Sequence, residues 1–173
     1  MTRLPELASI PGPKFVFAHL VAPHNPFVFG PQGQVVVLNS PFSLNSDMNA
    51  LSMPDFAAGY SDEVTYLNQQ FLNIVDEIIQ SSANPPVIII QGDHGIPRIP
   101  EWNMTILNAY HMPGGSDVNL YPTISPVNSF RLIFNAFFGG HLPLLEDKAC
   151  NFSENGVFGC SIQVDPNPLC SLK

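Results

Sequence analysis

Val87 to Gly95 reads VIIIQGDHG. A run of branched apolar residues ends in a carboxylate and an imidazole, Asp93 and His94, held between two glycines. In open α/β sheets ligands bind beyond the carboxyl ends of the strands, which is the position these two residues take after a strand over 87–91. A carboxylate oxygen and an imidazole nitrogen are ordinary ligands for zinc or manganese. Gly92 and Gly95 would let the backbone turn sharply and let a metal or a phosphate come close. The same four residues also make a plain turn, in which Asp93 caps the following loop and His94 only packs. Spacing alone leaves both readings open.

A second cluster, FAHLVAPHNPF from Phe17 to Phe27, follows another apolar run. His19 lies inside the expected strand and His24 in its proline-rich exit. If the two strands are parallel, both exits share one edge of the sheet and His24 reaches Asp93 and His94. His19 is read as a hydrogen-bonded core histidine. His111 ends the next expected strand and is a further candidate for the site. Arg98, three residues past Gly95, is suited either to hold an anion or to stay solvated or salt-bridged. His141 follows a helix stop and is read as surface.

The elements that must position these residues can be read from periodicity. Lys14–Val21 and Gln34–Asn39 are expected strands, the first buried. Ser40–Gly59 has no clean period and is expected to be a long loop. A helix is expected from Ser61 as N-cap, with Asp62 and Glu63 in its first turn and an inward stripe of Val64, Leu67, Phe71, Ile74, Val75 and Ile78. Pro85 and Pro86 end it. Val87–Gln91, apolar on both faces, then reads as a central parallel strand, completing a β-α-β unit. Met104–Met112 is a further expected strand. Ser125 as N-cap, Pro126 at the first helical position and Gly139 as stop bound a second helix. Its expected core stripe is Val127, Phe130, Ile133, Phe134 and Phe137. The tail after Asp147 is expected to be irregular. The expected architecture is a single α/β domain, a mostly parallel sheet with flanking helices.

Bulk composition narrows the classes. The chain has 173 residues, 45% of them hydrophobic, which excludes a disordered acidic tail despite a net charge of −8. Eighteen prolines imply much loop. The six basic residues, Arg3, Lys14, Arg98, Arg131, Lys148 and Lys173, are scattered, whereas nucleic-acid binding needs them clustered. No apolar run nears the ~18 residues that span a bilayer, and the first residues lack a signal-peptide core. Any export signal or anchor is therefore expected outside this chain. Cys150, Cys160 and Cys170 fit neither a zinc knuckle nor a Cys-x-x-Cys motif, and one disulfide with one thiol, or three thiols, both stand.

PHNPF followed about seventy residues later by a strand and GDHG resembles the C-terminal half of the alkaline phosphatase superfamily. The likeness is to its sulfatase-like branch, with the lipoteichoic acid synthases and phosphoethanolamine transferases. LNAYHMPGG and YPTISPVNSFRLIFNAFFGGHLPLLED also look like the segment after Asp-His in membrane-attached sulfatase-like proteins, so the likeness runs from about Lys14 to Asp147. It implies Asp93 and His94 as ligands of a divalent metal, zinc or manganese first, with calcium or magnesium as further candidates. It implies His24 as the contact to the phosphate or sulfate of an ester substrate, with Arg98 and His111 as further substrate-contact candidates. It also implies a partial alkaline-phosphatase-like fold at the extracytoplasmic face of a membrane.

One departure is plain. Family members carry a nucleophilic Thr, Ser or formylglycine-forming Cys, and a first acidic metal ligand, well upstream of the PH-x-P motif. The residues before His24 offer no such site. The expectation is thus a C-terminal piece of a longer enzyme, catalytically silent alone, whose partner is the N-terminal half that carries the nucleophile and any membrane attachment. The rivals are a non-catalytic binding or structural domain that keeps the fold, and a small intact metalloenzyme with its nucleophile in Ser40–Gly59.

Overall fold

A computed structural model describes residues 3–38, 41–44, 50–96, 98–99, 102–115, 118–152 and 158–162, with side chains described as far as Lys148. The chain packs as two compact units, Met1–Pro86 and Val87–Lys173.

The first unit is organised by helix α1, Met53–Ser81. It begins well before Ser61, because Ser52-Met53-Pro54-Asp55 is itself a start signal. The Ser52 hydroxyl accepts the Asp55 N–H at 3.2 Å and donates to the Asp55 carboxylate at 2.6 Å, and Pro54 sits in the first turn. The loop expected over Ser40–Gly59 is therefore helical from Met53 onward, while 39–40 and 45–49 lie outside the described residues. Moving the start also moves Glu63 from the first turn to mid-helix. There it joins a buried stripe of Phe56, Glu63, Leu67 and Ile74. The helix stops at Ser81, where Ser82 caps the Ile78 carbonyl ahead of Pro85 and Pro86.

Phe27 packs edge-on against Phe56 and Tyr60, with ring centroids 5.3 and 6.3 Å apart. A Cβ at Gly59 would lie 2.3 Å from the Phe27 ring, so this contact requires glycine. Residues 28–36 fold back in a small hairpin, closed by Val36 N–H to Val28 carbonyl at 2.9 Å and by the bridge Phe29–Val35. Gly33, at φ 81°, makes its turn.

The strand expected over Lys14–Val21 lies outside any helix or ladder, and Phe15 and Phe17 are 82% and 80% exposed. Gln34–Leu38 is paired only at Val35. A ladder needs a second row of N–H and C=O groups, and the described residues supply one only at that bridge.

In the second unit, strand β1 (Ile88–Gln91) pairs with β2 (Asn108–His111) in an antiparallel ladder, Ile88 opposite His111 and Gln91 opposite Asn108. Both strands fall inside the expected ones, but among the described residues β1 is half-buried and has no parallel partner. Helix α2, Pro126–Phe137, has the expected bounds: Pro126 sits in its first turn, Gly139 follows its end at φ 64°, and Ser125 holds the N-cap position without a side-chain cap bond. Its buried face is the polar one, Asn128 and Ser129 with Ile133, while Val127, Phe130 and Phe134 are exposed. The reason lies in the segment beside it. Asn128 and Asn135 each give and take a hydrogen bond with the backbone of Leu145 and Leu142, and Arg131 reaches the Pro143 carbonyl. Amides satisfied in this way belong inside.

Beyond Asp147 the chain is not irregular throughout: β3 (Lys148–Phe152) and β4 (Phe158–Ile162) form an antiparallel pair with Cys150 opposite Cys160 in register. Cys170 lies outside the described residues. No helix among the described residues is long and apolar enough to cross a membrane.

Candidate functional site

Asp93 and His94 follow the carboxyl end of β1, as the sequence suggests. The backbone does not cross to a helix there. It runs out and returns, closed by Gly92 N–H to Leu107 carbonyl at 2.9 Å, Gly95 N–H to Asn103 at 2.6 Å and Ile96 N–H to Trp102 at 3.2 Å. The two side chains stand on this arm in solvent, with Asp93 88% and His94 45% exposed. The Asp93 Oδ1 accepts the His94 N–H at 3.1 Å, fixing the carboxylate across the turn. The His94 Nδ1 lies 2.8 Å from the Gly95 carbonyl, to which it can only donate. In the neutral ring Nε2 then carries the lone pair, 3.9 Å from the Asp93 Oδ2.

A ligand histidine usually has its other ring N–H bound to a carbonyl in this way. A ring nitrogen and a carboxylate oxygen this close are a donor pair of the kind that zinc or manganese takes. No group of three or more His, Cys, Asp or Glu side chains among the described residues could hold a metal ion.

The two glycines differ. Neither has positive φ, so conformational freedom is not the reason for them. A Cβ on Gly95 would stand 1.9 Å from the Trp102 carbonyl oxygen and 2.4 Å from that of Thr105, whereas one on Gly92 would make ordinary contacts at 3.5 Å and beyond. Gly95 is required by close backbone packing within the arm; Gly92 is not.

Behind the arm, Gln91 donates to the Asn108 side chain at 2.8 Å and lies 3.5 Å from the buried Ser129 hydroxyl, which also meets the Tyr110 hydroxyl and the Ser125 carbonyl. This network ties the last residue of β1 to α2. A neighbouring one joins Asp147 to the start of α2. Its Oδ1 accepts from the Ser125 N–H at 2.7 Å and from Asn128 at 2.9 Å, and its Oδ2 from the Tyr121 hydroxyl at 2.6 Å. Burial alone would raise the Asp147 carboxyl. The Ser125 hydroxyl close by, the Tyr121 hydroxyl, the Ser125 amide and Asn128 outweigh burial and hold it below the ordinary carboxylate range. The Ser125 Oγ itself completes no well-directed hydrogen bond among the described residues. Tyr121 is pushed up by burial and by the Asp147 acceptor.

His24 belongs to the first unit and is exposed. Its N–H bonds the Val21 carbonyl at 3.0 Å and its Nδ1 donates to the Asn25 carbonyl, so it presents Nε2 outward like His94. The loop is anchored by buried Asn25 and Phe27 and by Glu63, whose Oε1 accepts the Val28 N–H at 3.0 Å, with the Phe29 N–H close to the same carboxyl. Burial pushes the Glu63 carboxyl up, against those two amides. Sequence reading missed Glu63 by setting the helix start too late. Its register with Phe56, Leu67 and Ile74 was the available signal.

Of the remaining candidates, His111 stands opposite Ile88, at the far end of the ladder from Gln91, so the antiparallel register carries it away from the Asp93–His94 turn. Arg98 is half-buried beyond the turn and His141 is exposed. His19 is exposed beside Phe17, not buried in a core, because nothing among the described residues covers that run.

No protein-family model, curated protein or solved structure matches the chain.

Proposed function

We propose that this chain supplies two metal ligands, Asp93 and His94, and an oxyanion contact, His24, to a metal-dependent phospho- or sulfo-ester hydrolase or transferase. The observation that carries the reading is the pair of side chains at the exit of β1, with the His94 Nδ1 turned to the Gly95 carbonyl and its Nε2 3.9 Å from the Asp93 Oδ2. A bound divalent ion would supply electrostatic stabilisation of charge developing on the transferred group. The residues' own parts are narrower. Asp93 and His94 would hold the ion, the Gly95 carbonyl would orient the His94 ring, and His24 would meet a phosphate or sulfate oxygen. Arg98 remains a second candidate for the anion.

The nucleophile is proposed to come from a segment other than this chain. The Ser52 hydroxyl is committed to the α1 cap, which argues against that serine as the nucleophile. The mostly parallel sheet of the sulfatase-like branch, and an extracytoplasmic place at the membrane, belong to the same proposal.

Calorimetric titration with zinc and with manganese tests it. Two protein ligands leave an ion mostly hydrated, so the expected result is weak binding that disappears in Asp93→Ala and in His94→Ala. Tight stoichiometric binding would mean that the ligand set is complete within these residues. Binding indifferent to both substitutions would favour a non-catalytic binding or structural role. The chain alone should not turn over aryl phosphate, phosphodiester or aryl sulfate above the metal blank.

A further inference from the structure

The Glu63 carboxyl is shut away from solvent midway along α1, on the stripe of Phe56, Leu67 and Ile74. One oxygen, Oε1, accepts the Val28 N–H at 3.0 Å, and the Phe29 N–H lies close to the carboxyl. The other, Oε2, is buried and has no hydrogen-bond partner among the described residues. A carboxyl in this position meets two conflicting demands. Ionised, it binds the two amides more strongly, since a charged acceptor makes a hydrogen bond roughly twice as strong as a neutral one. It then also keeps an anionic oxygen dry, which is costly. Protonated, it has no charge to bury, and Oε1 still accepts the Val28 amide.

Water is the partner an ionised Oε2 would seek, and water reaches it only if its cover moves. The loop is part of that cover. Phe27 packs on Phe56 and Tyr60, and Val28 is bound to Glu63 itself. Few residues separate Val28 from His24, and Pro26 among them has a fixed φ, so displacement at Val28 is passed on to His24.

We propose that Glu63 is a proton-operated latch on the loop that carries His24. With the carboxyl protonated the loop is seated on α1; with it ionised the loop is released. The latch does not depend on the chemistry proposed for His24, and it makes His24 presentation respond to acidity through a residue that is itself out of solvent. The other ionisable groups on the elements packed here are Asp55, Tyr60, Asp62, Tyr66, Asp76 and Glu77 on α1, His24 on the loop, and Arg3 and Glu6 at and before the Pro5–Ser9 turn that packs on α1. His24, on the loop itself, is the group to be separated from Glu63.

The test is NMR on the whole chain between about pH 4 and pH 8, the span over which carboxyls and imidazoles titrate. Labelled carboxyl carbon would report Glu63 directly, and exchange protection of the Val28 and Phe29 amides, corrected for the intrinsic pH dependence of exchange, would report the loop. The expected result is a Glu63 midpoint above the ordinary carboxylate range, with protection at both amides falling several-fold at that same midpoint. Amides of Leu72–Ile78 should keep theirs. Glu63→Gln should hold the loop protected throughout, and His24→Gln should leave the step in place. An ordinary Glu63 midpoint, a loop transition at a different midpoint, or loss of the step in His24→Gln would each overturn the latch. If Glu63→Gln does not fold, the comparison of midpoints in the unaltered chain decides alone.

Discussion

Glu63 and Asp147 do the same mechanical job in the two units. Each carboxyl ties a loop to a helix, and burial pushes each one up, yet they end on opposite sides of the ordinary carboxylate range. The difference lies in donors. Glu63 receives the Val28 N–H on Oε1, with the Phe29 N–H close by, and no well-directed donor on Oε2 among the described residues. Asp147 receives the Ser125 amide and Asn128 on one oxygen and the Tyr121 hydroxyl on the other. Hydrogen bonds to the charged form favour it, and when both oxygens are served they outweigh burial. A tether made by a carboxyl is thus acid-stable or acid-sensitive according to what faces its second oxygen. The third tether, the arm that carries Asp93 and His94, is closed across its base by backbone hydrogen bonds.

The sharpest way to break this contrast is Asn128→Ala. Asn128 is fully buried and joins Tyr121, Leu145 and Asp147. Its removal leaves several polar groups without their partner, and we expect a loss of about 3 kcal/mol in denaturant unfolding. The same change strips a donor from Asp147, so its carboxyl should move up toward the ordinary range by NMR titration. An unchanged Asp147 would show that Ser125 and Tyr121 suffice. Next in size is Gly95→Ala, where a methyl meets two backbone carbonyl oxygens that cannot rotate away. A loss of about 2 kcal/mol is expected, with little dependence on pH. Gly92→Ala, by contrast, should stay within about 0.5 kcal/mol. Equal costs at the two glycines would contradict the geometry of the arm.

These tethers differ in how much of them can be read from residues alone. Helix α2 was legible because Pro126 and Gly139 act locally, although the Ser125 side chain makes no cap bond. So was the exit of β1 into Asp93 and His94, where an apolar run meets glycine. The start of α1 was missed because Ser61 followed by two acids mimics a cap, while the true cap at Ser52 stands before a stretch with weak period. The inward face of α2 was misread for a different reason. Aromatic spacing outvoted Asn128 and Ser129, whose burial depends on Leu145 and Asp147, residues many positions away. The antiparallel pairing of β1 with β2, which removes His111 from the turn, is likewise a long-range fact. The expected parallel strands over Lys14–Val21 and Gln34–Asn39 rest on apolarity, and apolarity does not specify a partner.

The smallest expected effect is the most discriminating, because its sign differs between the two carboxyls. Glu63 binds its proton more tightly when folded. Its contribution is complete below the ordinary value of 4.5 and is lost as pH rises through the higher folded value. Asp147 binds its proton less tightly when folded. Its contribution is complete above the ordinary value of 3.8 and is lost as pH falls through the lower folded value. Thermal unfolding followed from pH 3 to pH 7 should therefore decline at both ends, by less than about 5 °C on each side. Glu63→Gln should flatten the upper decline and leave the lower one. Asp147→Asn should lower the melting temperature above the ordinary carboxylate value and flatten the acid side. Separate probes of the two units, such as amides in α1 and in α2, assign each slope to its own carboxyl. Should Glu63→Gln leave the upper decline intact, another group titrates there and Glu63 is merely buried; should Asp147→Asn leave the acid slope intact, the donors around Asp147 do not favour its charged form.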